Sequence, residues 1–228
     1  QYLLTDKAEP KYRDATVAAL DALRVRLFRY SSPSHQGYFG EFVDGAFDYK
    51  MDHLACFASG MYALAAMHNV GDDGRVQAYR KVAADVADTC YQMYDSQASG
   101  IAPEIVDFAG GQDFRAGEAY YLLRPEAVES IFYMWRLTKN EKYRTYQWKI
   151  FQHLKKYCKS EVTGAYSGVS MVSVVPPEQD DLMQSFWLAE TLKYIYLTFV
   201  PDDVLDLEKW VFNTEAHPLK IRRRDPLD

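Results

Sequence analysis

An arginine and two glutamates lie close together at the start of one apolar segment. Residues 121–138 read YLLRPEAVESIFYMWRLT, so Arg124, Glu126 and Glu129 precede a run of large apolar side chains. Proline is favoured in the first turn of a helix, where the positive end of the helix dipole also stabilises acidic side chains. A carboxylate kept ionised by the dipole and by an arginine is also suited to accept a proton from water. The segment alone leaves open whether these residues only begin a helix or also do chemistry.

Another carboxylate lies within the most apolar segment of the chain, residues 181–199. Glu190 is near its middle, and an unpaired carboxylate is costly to bury, which favours a function for it. Phe186 lies four residues earlier, and this spacing predicts that both side chains share one helix face. One helix could then present a stacking ring and a hydrogen-bond acceptor to a ligand. Taken alone, Phe186 is more simply explained as a core side chain.

Other candidate residues have simple structural explanations when each is taken alone. His53 precedes an apolar segment, where a histidine is usually a cap or a hydrogen-bonded buried side chain. Thr214 and Glu215 belong to the stretch NTEAHP, in which a threonine ordinarily caps a helix or forms a turn. Glu104, in the stretch APE, is expected to support a loop or a neighbouring site residue.

The elements that must position these residues are mainly helices, because apolar residues recur at helical spacing along the chain. The helices are expected over residues 11–29, 51–67, 75–94, 125–138, 141–159 and 181–199. Asp44-Gly45 lies between alternating aromatic and polar residues and predicts a β-hairpin. The segment 164–177 is also hairpin-like and is closed by two prolines, and residues 99–111 are expected to form a loop.

Very apolar helices alternate with amphipathic ones along the chain. This alternation predicts two layers, with the apolar helices inside. It suggests a toroid of helical hairpins, in which inner helices line a barrel and short β-hairpins crowd one mouth. About three helical hairpins fit in this chain, whereas a closed ring of six or seven needs roughly twice the length. Helix pairing also fits an open solenoid, although the sequence has no fixed short repeat period.

Composition and charge exclude several classes of protein. The net charge is −6 and the pI is about 5.4, and the one basic cluster, residues 222–224, is near the C-terminus, so nucleic acid is not expected as a partner. The apolar stretch 182–200 is long enough to cross a bilayer, but Glu190 and Lys193 near its middle favour a buried helix instead. No basic and apolar leader is present at Gln1, so any secretory signal is expected to lie outside these residues.

Cysteines and aromatic residues give weaker indications. Cys56, Cys90 and Cys158 match neither a metal-binding spacing nor a disulfide-dense scaffold, and one disulfide with one free thiol is compatible with them. Aromatic residues make up 15% of the chain, including 18 tyrosines. This surplus fits a cleft for sugars, whose apolar faces pack on flat rings, but large rings also simply fill cores.

Five motifs occur in a fixed order along the chain. They are MDHLACFASGM, GIAPE, YLLRPEAVESIFYMWRLT, SFWLAETLKYIYLTF and WVFNTEAHPL. Together, over residues 15–219, they resemble the C-terminal half of class I α-1,2-mannosidases, glycoside hydrolase family 47. The resemblance implies that residues 1–228 are half of a single catalytic domain. Its fold would be all-α, part of an (αα)7 barrel with short β-hairpins at one mouth.

The resemblance also implies a calcium-dependent enzyme that removes terminal α-1,2-linked mannose from high-mannose N-glycans with inversion. Glu126 matches the carboxylate that activates water, and Arg124 matches a substrate and electrostatic partner beside it. Thr214 matches the residue that binds Ca²⁺ directly. The other matches line the sugar and the metal: His53, Glu129, Phe186, Glu190 and Glu215. Cys56 and Cys90 match positions that are bridged in this family.

Inverting hydrolysis needs a general acid opposite the activated water. These residues offer no convincing acid, and the resemblance implies that the missing acidic groups lie in the N-terminal half of the domain. This chain is therefore expected to be incomplete alone and to act with that half, on the same or a separate chain. Residues that set the preferred mannose branch are expected there too. The expected compartment is the lumen of the endoplasmic reticulum or Golgi, or the extracellular space.

Two other functions fit parts of the pattern. The first is a quality-control lectin that binds mannose-rich glycans on the same fold without turnover. Glu126, Thr214 and Glu215 favour the enzyme, because a pure binder needs no base. The second is a helical scaffold for protein partners, which gives no reason for carboxylates at the entrances of several inner helices and is ranked last.

Overall fold

The computed structural model describes residues 1–222, so Arg223 and Arg224 of the basic cluster lie outside the described residues. The architecture is mainly helical, with short antiparallel strands between the helices. The helices are α1 (Pro10–Arg26), α2 (Phe57–Met67), α3 (Asp73–Asp95), α4 (Glu126–Thr138), α5 (Glu141–Tyr157) and α6 (Leu192–Phe199). The strands are β1 (Phe28–Tyr30), β2 (Gly37–Phe39), β3 (Glu41–Val43), β4 (Ala46–Asp48), β5 (Lys50–Asp52), β6 (Ile105–Asp107), β7 (Arg115–Ala116), β8 (Trp210–Phe212) and β9 (Pro218–Lys220).

Helix α4 is the centre of the core. Ten of its 13 residues are buried, and it packs against α2, α3, α5 and α6. Its approach to α2 is close because Gly60 has no side chain: an added Cβ would lie 2.9 Å from the ring of Tyr133. The Gly60 amide donates a 2.8 Å hydrogen bond to Ser130 Oγ, which in turn donates to the carbonyl of Cys56. The helix that begins with Glu126 is therefore held rigidly.

The helices form two layers, as the alternation in the sequence predicts. Helices α2, α4 and α6 pack side by side, and α3 and α5 cover them. The outer helix α5 buries one stripe at helical spacing and leaves charged residues outside, as expected for an amphipathic helix. That stripe consists of Tyr143, Gln147, Ile150 and Leu154. Closure of these layers into a toroid stays a prediction.

The predicted helix over residues 51–67 begins later than expected. Its first residues form β5, which pairs with β6, and then a single 3₁₀ turn, His53–Cys56; α2 starts only at Phe57. The segment 99–111, which was expected to be a loop, contains β6. The first residues of the predicted helix pair with β6 as a strand and so do not start the helix. The His53 amide continues this pairing by donating a 2.8 Å bond to the carbonyl of Glu104.

Two further predictions for the C-terminal half were wrong. Segment 164–177 forms no hairpin, because Val169 makes isolated bridges to Tyr121 and Gln179 rather than within the segment. The helix predicted over residues 181–199 begins only with a π-helical turn, Trp187–Thr191, that leads into α6. Residues 181–186 are not helical apart from the residue that caps this turn.

Other expectations agree with the structure. Strands β3 and β4 form the predicted hairpin, with Asp44 and Gly45 at φ values of 50° and 82°, as a tight two-residue turn requires. Helix α1 ends at Arg26, three residues before the predicted limit, because the chain turns there into β1. In the described part of the chain, no helix is both long and apolar enough to cross a membrane.

Candidate active site

Glu126 is the first residue of α4, and the turn before it is fixed from several sides. Leu123 has a left-handed backbone with φ of 62°, and its carbonyl accepts a 2.7 Å hydrogen bond from Thr191 Oγ1 of the π-helical turn. Pro125 follows as the cap of α4. The sequence RPE thus places a carboxylate in the first turn of a buried helix, where the dipole favours its ionised form.

His53 is hydrogen-bonded to Glu126 inside the core. The His53 Nδ1 atom lies 2.9 Å from Glu126 Oε2, and its Nε2 atom lies 2.9 Å from the hydroxyl of Tyr94 on α3. Since an ionised carboxylate can only accept, Nδ1 carries the hydrogen of that bond. His53 is fully buried and Glu126 is only 8% exposed. The predicted histidine is therefore a direct partner of the predicted base.

The surroundings of Glu126 lower the pKa of its carboxyl group. Burial acts against ionisation and is the largest single influence, but it is outweighed by the hydrogen bond and charge of His53, by the backbone amide of Glu126 and by the charge of Arg124. The net pKa of Glu126 is below its ordinary value. Its carboxylate is therefore ionised at neutral pH and free to accept a proton.

Arg124 lies between the carboxylate of Glu104 and the ring of Phe186. Its guanidinium pairs with the buried carboxylate of Glu104 and lies 5.8 Å from the centre of the Phe186 ring. Glu104 thus supports Arg124, in line with its expected role. Phe186 is half-buried but caps the π-helical turn rather than standing inside a regular helix. Phe186 and Glu190 therefore belong to a π-helical turn and its cap rather than to a regular helix, and their position on one face stays a prediction.

Glu129 lies one turn after Glu126 and is equally buried. The hydroxyl of Tyr194 on α6 donates a 2.9 Å hydrogen bond to Glu129 Oε1. Burial, and then the charges of Glu126 and Glu190, raise the pKa of Glu129 to about 8, although the bond from Tyr194 opposes this. The Glu129 carboxyl is therefore largely protonated at neutral pH in the metal-free protein.

Glu190 belongs to the same electrostatic cluster. It is 7% exposed and lies in the π-helical turn. Burial, followed by the charges of Glu215 and Glu126, raises its pKa to about 7. The sequence indicates that this carboxylate is costly to bury. The raised pKa of Glu190 reflects that cost, because burial favours the protonated form.

Thr214 and Glu215 lie in the turn between β8 and β9. We call residues 213–217 the hairpin tip. Asn213 Oδ1 accepts hydrogen bonds from the amides of Glu215 and His217, at 3.1 and 2.8 Å. Lys193 Nζ of α6 donates a 2.7 Å hydrogen bond to the carbonyl of Ala216. Thr214 and Glu215 themselves are exposed.

A cavity of about 290 Å³ lies between the hairpin tip and one of the buried carboxylates, that of Glu129. Both Glu129 and Thr214 line it, together with apolar residues of α2. The structure therefore brings the predicted residues from four separate parts of the sequence to one region. Those residues are His53, Arg124, Glu126, Glu129, Phe186, Glu190, Thr214 and Glu215.

The donor set suits a hard cation such as Ca²⁺. Within residues 1–222, no three His, Cys, Asp or Glu side chains lie close enough together to hold a metal ion between them. The groups present are a threonine at an exposed turn and carboxylates whose charges raise one another's pKa. Oxygen ligands completed by water are typical of calcium, and a divalent cation would relieve this repulsion. Oxygen donors of this kind are compatible with a hard cation such as calcium.

Cys56 and Cys90 form a disulfide, as predicted, with their Cα atoms 5.9 Å apart. It joins the 3₁₀ turn that carries His53 to helix α3. Cys158 is free and buried, and burial raises the pKa of its thiol to about 12.

Several tyrosines and a lysine of the site were not identified from the sequence. Tyr94, Tyr121 and Tyr194 lie within or beside apolar segments, where a tyrosine is indistinguishable from a core ring. In the sequence, Lys193 argues only against a membrane span. The surplus of tyrosines was the one available signal, and it gave no positions.

A buried carboxylate paired with histidine, an arginine beside an aromatic ring and further carboxylates near a cavity thus lie together on a helical fold. Residues 1–221 match the model of Glycosyl hydrolase family 47. The chain belongs to this family.

Named relatives agree with this assignment. Mannosyl-oligosaccharide 1,2-alpha-mannosidase IA of Sus scrofa is 43% identical over 227 residues, covering 98% of this chain and 34% of its own length. Mannosyl-oligosaccharide 1,2-alpha-mannosidase MNS1 of Arabidopsis thaliana is 44% identical over 216 residues, covering 94% and 37%. The chain thus spans about a third of the length of the curated relatives it matches.

Solved structures show the same likeness. An alpha-1,2-mannosidase from Trichoderma reesei has a TM-score of 0.87 and 29% identity, and the match covers 97% of this chain and 49% of that one. A cellobiose 2-epimerase from Bacillus thermoamylovorans B4167 has a TM-score of 0.60 at 14% identity, over 86% and 53% of the two chains. The epimerase shares the helical fold alone.

Proposed function

We propose that this chain carries the base and the metal-binding side of an inverting α-1,2-mannosidase that trims high-mannose N-glycans. Glu126 accepts a proton from the water that attacks the anomeric carbon. The observation that carries the proposal is the lowered pKa of Glu126, held ionised in a buried site by His53 and Arg124. The names of the relatives support mannose as the sugar.

The other residues bind the substrate in this proposal. Phe186 offers a half-buried ring for the apolar face of the sugar, and Arg124 holds that ring on one side. Glu190 and Glu215 accept hydrogen bonds from sugar hydroxyls. His53 keeps Glu126 oriented and ionised, and Glu129 adds a carboxyl close to both.

Calcium belongs to the proposed function, with Thr214 as its direct protein ligand. Glu126, Glu190 and Glu215 would reach it mostly through water. A calcium ion held there would supply positive charge for binding sugar hydroxyls. The residues of this chain keep the ligand in place: Asn213 closes the turn around Thr214, and Lys193 fastens that turn to α6.

The general acid is proposed to come from the N-terminal half of the same domain, on the same or another chain. Retention or inversion depends on the distance between the two carboxyls, and inversion needs roughly 6.5–9.5 Å. The match to only half of the Trichoderma reesei structure supports this division. Exposed apolar side chains on the inner layer, such as Phe57 and Tyr196, support closure into a complete (αα)7 barrel by the same half.

The proposed compartment is the lumen of the secretory pathway or the extracellular space. The disulfide between Cys56 and Cys90 supports this proposal, because such bonds persist in oxidising compartments. A mannose-binding lectin without turnover would use the same cleft and is the alternative that the following experiment separates.

The experiment compares Glu126→Gln with wild type in the full-length protein that contains this chain. Wild type should release β-mannose first, observed by proton NMR of the anomer, and the variant should lose at least roughly 10²-fold in kcat. Binding of a mannose oligosaccharide should survive, because the amide keeps the shape of the carboxylate. Glu141→Gln is the matched control, since Glu141 also starts a helix, α5, but is exposed. First release of α-mannose would contradict inversion, and binding without any wild-type turnover would establish the lectin.

A further inference from the structure

A chain of buried hydrogen bonds continues behind the Glu126–His53 pair. His53 Nε2 lies 2.9 Å from the Tyr94 hydroxyl, which lies 3.3 Å from the Tyr121 hydroxyl. Tyr121 Oη in turn lies 3.1 Å from the carbonyl oxygen of Arg124. Tyr94 and Tyr121 are almost completely buried. Two hydroxyls placed in a core at this spacing are costly unless each has a defined partner.

Each hydroxyl has a single hydrogen, and this limits which hydrogen bonds it can donate. The carbonyl of Arg124 can only accept, so Tyr121 donates to it. The hydrogen of Tyr94 then has two acceptors, His53 Nε2 and the Tyr121 oxygen. When Tyr94 donates to Nε2, His53 is neutral and its hydrogen is on Nδ1, directed at Glu126. When Tyr94 donates to Tyr121, its oxygen accepts from Nε2–H, and the imidazole carries both hydrogens.

The Tyr94 hydroxyl therefore satisfies Nε2 in either protonation state of His53. In both arrangements Nδ1–H remains directed at Glu126. The same hydroxyl contacts Tyr121, which holds the Arg124 carbonyl two residues before Glu126. Tyr94 is thus connected to the base through a side chain, His53, and through the backbone that leads into α4.

We propose that Tyr94 is a positioning residue for the base: its hydroxyl holds the imidazole of His53 in the orientation in which Nδ1–H donates to Glu126. This role rests on the proposed function of Glu126 but concerns a residue that no motif indicated. Tyr94 lies behind the imidazole and supports the reaction through His53. Its loss should leave the shape of the sugar pocket intact and weaken the bond that keeps Glu126 ionised.

The proposed variant leaves unchanged the other charged and titratable side chains that face this network. Around Glu126 and Tyr94 they come from the 3₁₀ turn, the segment before β6, the loop before α4, α4 itself, the π-helical turn and the end of α5. These groups are His53, Glu104, Tyr121, Arg124, Glu129, Glu190 and Cys158. The variant Tyr94→Phe changes none of them and removes a single oxygen atom.

The first measurement does not depend on catalysis. Nitrogen NMR of the full-length protein with ¹⁵N-labelled histidine, assigned by loss of one signal in His53→Gln, reports which ring nitrogen carries hydrogen. Wild type should show hydrogen on Nδ1 of His53. Tyr94→Phe should shift the Nε2 resonance and weaken the hydrogen bond at Nδ1, because Nε2 loses its partner and the imidazole is held less firmly. An unchanged His53 spectrum in Tyr94→Phe would overturn the proposal whether or not the protein is a mannosidase.

The second measurement is the pH dependence of turnover. Tyr94→Phe should lower kcat roughly tenfold at neutral pH and change KM less than about twofold. The acidic limb of its profile should move to higher pH, because a weaker bond from His53 raises the pKa of Glu126. A wild-type acidic limb in Tyr94→Phe would contradict the positioning role.

A matched control separates positioning from general loss of stability. Tyr62→Phe removes another buried hydroxyl, which donates a 2.6 Å hydrogen bond to the carbonyl of Leu20 outside the site. It should lower the melting temperature about as much as Tyr94→Phe and leave kcat and the pH profile unchanged. Equal changes of the pH profile in both variants would show that Tyr94 acts only through stability. Absence of wild-type activity would defeat the proposed function, and the NMR result would still decide the role of Tyr94.

Discussion

The base and the hairpin tip are held in place by different means. Glu126 is buried at the start of the most enclosed helix, and side-chain hydrogen bonds from distant parts of the chain fix it. Thr214 is exposed in a turn whose shape comes from bonds between residues 213 and 217 and from one lysine. The first region is set by tertiary packing and the second mainly by local turn chemistry.

This difference suggests that the two regions have different functions. A proton acceptor must keep its geometry and charge while the substrate changes, which a rigid buried network provides. A ligand of calcium that leaves most positions to water and sugar needs to be accessible instead. We therefore expect substitutions in the scaffold of the buried network to lower the stability of the protein. Substitutions in the hairpin tip should instead weaken metal binding.

The largest effect should follow from opening the disulfide behind the buried network. The bond between Cys56 and Cys90 ties the turn of His53 to α3, which carries Tyr94, and closes a loop with a sequence separation of 34. The double variant Cys56→Ala, Cys90→Ala should lose about 4 kcal/mol of unfolding free energy, measured by urea denaturation of the full-length protein.

Cys158→Ala is the control for this variant, because it removes a buried sulfur without opening a bridge. It should destabilise the protein clearly less. Equal losses in the two variants would show that packing of the sulfur atoms, rather than the covalent link, holds the network together.

A smaller effect is expected from Thr214→Ala at the hairpin tip. The variant should bind calcium about tenfold more weakly or worse, since it loses a direct oxygen ligand, while the urea transition without calcium stays near wild type. Isothermal titration calorimetry measures the affinity. Thr214→Ser should retain it, and Thr163→Ala, which changes another exposed turn threonine, should have no effect. Unchanged affinity in Thr214→Ala would remove Thr214 from the metal site.

The same contrast explains which features could be predicted from the sequence. Apolar periodicity and the RPE triplet predicted α4 and its carboxylates, because local signals decide where a helix begins. The turn at Asp44-Gly45 was predictable for the same reason. The partners of the site were not predictable: the hydrogen bond between Tyr94 and His53 joins residues 41 positions apart.

The errors have the same physical origin. Val169 pairs with Tyr121 and Gln179, so the hairpin expected from its own segment does not form. The π-helical turn at Glu190 follows from packing against the loop before α4, where Thr191 bonds Leu123. In each case a contact between distant segments overrides a local preference. Such contacts position the base, whereas the hairpin tip keeps its local geometry.

The smallest effect, and the one that links both regions, concerns protons released when calcium binds. Burial and neighbouring carboxylates raise the pKa of Glu129 to about 8 and that of Glu190 to about 7, above the ordinary carboxyl value of 4.5. In the metal-free protein these groups bind protons more tightly than in the unfolded chain. Their contribution to stability is therefore full below pH 4.5, decreases as the pH rises, and is lost above about 8.

Calcium should reverse this dependence, because a cation favours the ionised carboxyls. Calorimetry in buffers of different ionisation enthalpy should show roughly one proton released per calcium ion at pH 7 and almost none at pH 9. Glu129→Gln should reduce the release at pH 7, because Glu129 holds more of its proton there than Glu190 does. Glu141→Gln, at an exposed helix start, should leave it unchanged. Equal release at both pH values would mean that the buried carboxylates do not sense the ion at the hairpin tip, and the two regions would then act independently.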